Sequence, residues 1–63
     1  MSPEAKTSIK NALNGKLSDD YNDLEILLEN LITEKATTKH HGTFKRLDGA
    51  LSKVRTKMSK LKP

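Results

Sequence analysis

From Phe44 onward the larger apolar residues Phe44, Leu47, Leu51, Val54, Met58 and Leu61 recur in steps of three and four. That spacing puts them on one stripe of a helix, an a/d seam, and predicts an α-helix near residues 43–61. Upstream, Tyr21, Leu24, Leu27, Leu28, Leu31 and Ile32 fall within an arc of roughly 140° when each residue advances about 100°. An arc that wide touches two neighbours at once. Ahead of it, Ser18, Asp19 and Asp20 offer N-cap oxygens, and the carboxylates of Asp19, Asp20 and Asp23 favour the positive end of a helix. A second helix is therefore predicted near 19–36. Ile26 falls outside the apolar arc, either as an ordinary exposed aliphatic or as the edge of a contact surface.

The N-terminal segment opens with Ser2, Pro3 and Glu4, an N-cap followed by proline at the first helical position and an early acid. Ala5, Ile9, Ala12 and Leu13 share one face, and Asn14-Gly15 forms a stop that tolerates left-handed backbone, so a short helix is predicted near 3–14. Between the two longer helices, Ala36 to Thr43 breaks the apolar rhythm with weak helix formers and a glycine, and the chain reverses there. The expected fold is all-α: an antiparallel helical hairpin with a short N-terminal helix packed across it or extending it through Gly15, a small three-helix protein forming a single domain over 1–63. Gly49 inside the last helix costs about 1 kcal/mol relative to alanine; it marks either close approach of another backbone or simple tolerance.

Length restricts this picture, because a chain of 63 residues supports one core at most. With no cysteine there is neither a disulfide framework nor a thiolate zinc site, so stability rests on apolar packing or on a partner chain. The apolar arc of the middle helix and the seam of the last exceed one intramolecular contact, and a homodimer or a helical partner is expected. A charged fraction of 32% and a mean hydropathy of −0.71 suit a disordered chain, but the helical periodicity opposes that reading. The longest uninterrupted apolar run, Ile26 to Leu28, is far too short to span a membrane, and the first residues lack a secretory stretch, so a soluble cytoplasmic protein is expected.

The net charge of +4 conceals a partition of +2 over residues 1–16, −6 over 17–34 and +8 over 35–63. An acidic helix packed antiparallel on a basic one gains flanking ion pairs, which is the internal explanation. The outward explanation rests on Arg46, Lys53, Lys57 and Lys60, which gather within roughly 60° on the last helix, largely opposite its apolar seam. These four, with Ile26, are the candidate partner-binding or phosphate-binding residues. Two arginines, no glutamine and one each of Phe and Tyr leave little chemistry for reading bases, so any nucleic-acid contact is to the backbone.

Catalytic signatures do not occur: there is no cysteine nucleophile, no glycine-rich phosphate loop and no HExxH. His40 and His41 are adjacent, point about 100° apart on a helix and find no further ligands at suggestive spacing. Protonation would nevertheless add charge to an already basic turn. The expectation is a protein with no enzyme activity, cofactor or metal: a small regulator or adaptor binding a protein partner. The alternatives are a sequence-nonspecific nucleic-acid-binding protein, architectural or ribosome-associated, and a structural subunit of a larger assembly.

Overall fold

The computed structural model describes residues 2–61, which form three helices: α1 (Pro3–Leu13), α2 (Tyr21–Thr37) and α3 (His41–Leu61). Met1, Lys62 and Pro63, which the expected domain and charge totals include, lie outside the described residues. Ser2 caps α1, its hydroxyl oxygen accepting the Ala5 amide at 3.2 Å, and Pro3 enters at the helix start. At the other end Gly15 takes φ +82°, and the amides of Gly15 and Lys16 donate to the carbonyls of Ala12 and Asn11 at 3.0 and 2.8 Å. This pair of bonds is the Schellman arrangement that glycine beyond a helix end permits.

Asp20 caps α2 by accepting the Asn22 amide at 2.9 Å, so the helix begins at Tyr21, just after its predicted start. Ser18 ties the same loop together, accepting the Asp20 amide at 3.0 Å and donating to Asp23 Oδ2 at 3.2 Å. The reversal after α2 is tighter than the composition of 36–43 predicts. Residues 38–40 make the whole connection, and the His40 carbonyl already accepts the Phe44 amide at 2.9 Å. Gly42 and Thr43 sit in the first turn of α3, where amides need no intrahelical partner and weak helix formers are tolerated.

The architecture is an all-α bundle in which α2 and α3 form the antiparallel hairpin and α1 packs across one face of it. Leu24, Leu27 and Leu31 from α2 meet Leu47, Ala50, Leu51 and Val54 from α3, and α1 adds Ile9 and Ala12. Ala50 lies outside the seam of larger residues; its small side chain leaves room for the end of α1, with Ala12 and Leu13 beside Arg46, Gly49, Ala50 and Lys53. On its other flank α1 sets Ser8 and Asn11 beside Asp23, Ile26 and Leu27. Thus α1 packs against both α2 and α3 and does not extend the hairpin. A side chain built at Gly49 would meet nothing within 4 Å, so tolerance explains this glycine and close approach does not.

Two residues assigned by periodicity to the apolar faces are exposed. Ile32 is 45% and Phe44 40% accessible, because both lie toward the face of the hairpin that α1 leaves open. Ile26 is 59% exposed, in keeping with its place outside the α2 arc.

Candidate partner-binding site

The four basic residues singled out on α3 do not share one environment. Arg46, Lys53 and Lys60 are exposed. Lys57 is half-buried, with its Nζ 2.8 Å from Asp19 Oδ1 and donating to the Leu17 carbonyl at 3.2 Å. It holds the α1–α2 loop against the far end of α3. The hydrogen bond from Lys57, then its charge, lowers the Asp19 pKa below the ordinary value of 3.8. Lys53, Lys57 and Lys60 line a shallow groove with Ser52 and Thr56.

Arg46 and Lys53 flank the cleft between α3 and the end of α1. Leu13 faces that cleft, and Lys6 and Lys10 precede it by seven and three residues, so they lie on the same side of α1. Lys6 and Lys10 are exposed and extend the basic edge onto a second helix. Their spacing from Leu13 is visible in the sequence, but its meaning depends on which flank of α1 meets α3. Ile26 lies on the opposite flank of α1, beside Ser8 and Asn11, so α1 separates it from the basic residues.

Ion pairing inside the bundle accounts for little of the charge partition. Among the described residues two salt bridges occur: Lys57 with Asp19, and Lys35 Nζ with Asp48 Oδ1 at 2.7 Å. The second lies within the basic 35–63 segment and joins Lys35, near the end of α2, to the acid of α3. Its hydrogen bond and charge lower the Asp48 pKa, and Lys35 Nζ also stands 4.8 Å from the centre of the Phe44 ring. Glu25 and Glu29 on α2, and Arg46, Lys53, Arg55 and Lys60 on α3, enter no salt bridge among the described residues. The bundle therefore carries a positive α1–α3 edge and a negative outer face on α2.

His40 and His41 are exposed beside the hairpin turn, and among the described residues no three His, Asp or Glu side chains gather where they could hold a metal ion. Among the same residues no helix is long and apolar enough to cross a membrane. Comparison of the chain with protein families, curated proteins and solved structures finds no match in any of the three.

Proposed function

We propose that this protein is a non-catalytic adaptor or regulator that binds an acidic protein surface through its α1–α3 edge, with Arg46, Lys53 and Lys60 supplying the electrostatic recognition. The observation that supports this reading most is the pairing pattern. Among the described residues Lys57 alone of the candidate stripe is engaged within the bundle, while Arg46, Lys53 and Lys60 stay exposed, with Lys6 and Lys10 on the same edge. Complementary charge at such an edge steers encounter and selects partners. A protein partner is favoured over nucleic acid because neither aromatic side chain serves the edge: Phe44 lies under Lys35 and Tyr21 lines the opposite groove beside Arg55 and Met58. The working species in this reading is a cytoplasmic homodimer that leaves each basic edge free.

Affinity capture from a source lysate, with and without nuclease, tests the reading. Protein partners that survive nuclease treatment support it. Partners that vanish favour the second reading, a sequence-nonspecific nucleic-acid binder, because Arg46, Lys53 and Lys60 follow one helix over about 21 Å and suit a phosphate backbone. Three phosphate contacts to duplex would give a log-log salt slope of about −2.7.

A further inference from the structure

With α1 on one face of the hairpin, no element among the described residues covers the opposite face. Ile32 and Phe44 are exposed there, and Tyr21, Leu28 and Met58 are half-buried. Tyr21, Leu28 and Ile32 follow one another at seven and four residues along α2, while Phe44, Leu51 and Met58 follow at seven and seven along α3. Each long helix thus carries a second apolar seam beside the one it uses within the chain, the pattern of a helix with neighbours on two sides.

Charge specifies the neighbour. Glu25 borders the open seam of α2, and Arg55 borders that of α3; neither forms a salt bridge among the described residues. Asp48, the acid on this side of α3, is already held by Lys35. Tyr21 and Leu28 line one groove with Arg55 and Met58, so Glu25, between Tyr21 and Leu28 in the chain, stands at about the height of Arg55. A two-fold axis parallel to the helices preserves height and sets α2 of each copy against α3 of the other. Glu25 of each copy then meets Arg55 of its mate, twice by symmetry. An axis across the helices would instead set α2 on α2 and bring the Glu25 and Glu29 rims together, which like charge disfavours.

We infer that the open face of the α2–α3 hairpin binds a second copy of this chain, α2 against α3, in a four-helix core flanked by the two α1 helices. The inference rests on the homodimer of the proposed function and names its surface and its pairing. The antiparallel α2–α3 contact across the axis matches the one inside each hairpin, as in a four-helix bundle.

Sedimentation equilibrium of the full chain from micromolar to near-millimolar concentration tests it, with circular dichroism verifying that each variant remains helical. The wild type is expected to dimerise, and Ile32→Glu to weaken the dimer at least about tenfold, since a truncated or charged anchor at an interface centre has effects of that size. Arg55→Glu is expected to weaken it several-fold and Glu25→Arg/Arg55→Glu to recover it, as exchanged charges do when they face each other. A wild type that is monomeric throughout overturns both this inference and the homodimer of the proposed function. A dimer indifferent to Ile32→Glu overturns this inference alone and places the interface elsewhere. A double exchange no tighter than Arg55→Glu overturns the α2–α3 pairing.

Discussion

Replacing Gly49 by alanine should stabilise the protein. Gly49 lies well inside α3, is not among the positive-φ glycines, and a Cβ built there meets no atom within 4 Å. The substitution therefore adds no clash, and only the helix-propensity difference remains, about 1 kcal/mol in favour of alanine. For a domain of this size that corresponds to a rise of about 4–8 °C in melting temperature. Thermal melts followed by circular dichroism at one fixed protein concentration, with urea titrations showing a higher midpoint at unchanged slope, would measure it. Gly15→Ala is the internal contrast. Space is equally open there, but φ is +82°, so alanine should destabilise by about 1–2 kcal/mol. A Gly49→Ala protein that melts at or below the wild-type temperature would refute the argument, and would mean that α3 needs a bare backbone at this point.

Leu24→Ala removes a fully buried side chain from the α2–α3 contact and should cost about 2–5 kcal/mol in urea unfolding. Lys57→Ala should lower the melting temperature, because it releases the Leu17 carbonyl and Asp19, whereas Lys53→Ala and Lys60→Ala should leave it nearly unchanged. Asp19 and Asp48 have folded pKa values below 3.8, so their contribution is fully present above about pH 4 and is lost as pH falls through the folded values. A melting temperature that declines below about pH 4 in the wild type, and declines less in Asp19→Asn/Asp48→Asn, would carry that signature.

The hairpin, both ends of α1 and the start of α2 were legible in the chain because their causes are local. Apolar spacing defined the inward faces of α2 and α3, and Ser2, Asn14-Gly15 and the Ser18–Asp20 run announced caps that the bundle uses. The docking side of α1 was less legible, since it turns on Ala12 and Ala50, two small residues whose value lies in what they allow to approach. Periodicity also identifies a face without saying whether anything covers it, which is why Phe44 and Ile32 share seams with buried leucines and remain exposed. Lys57 occupies the same stripe as Lys53 and Lys60, yet the course of the Leu17–Asp19 loop brings it an acid and a carbonyl. That course is a tertiary fact with no counterpart in helical spacing. Lys6 and Lys10 joined the basic edge for the same reason.

In the proposed function the core holds the fold while the exposed edge of α3 recognises an acidic partner. Capture of the natural protein partner by wild type and by Arg46→Glu/Lys53→Glu/Lys60→Glu, with melting temperatures taken in the same buffer, tests it most directly. Lys57 is left intact so that the loop clamp survives. Near-unchanged helicity and melting temperature together with loss of the partner are expected, because the three side chains are exposed and enter no salt bridge among the described residues. Retention of the partner at unchanged affinity by the folded variant would contradict it.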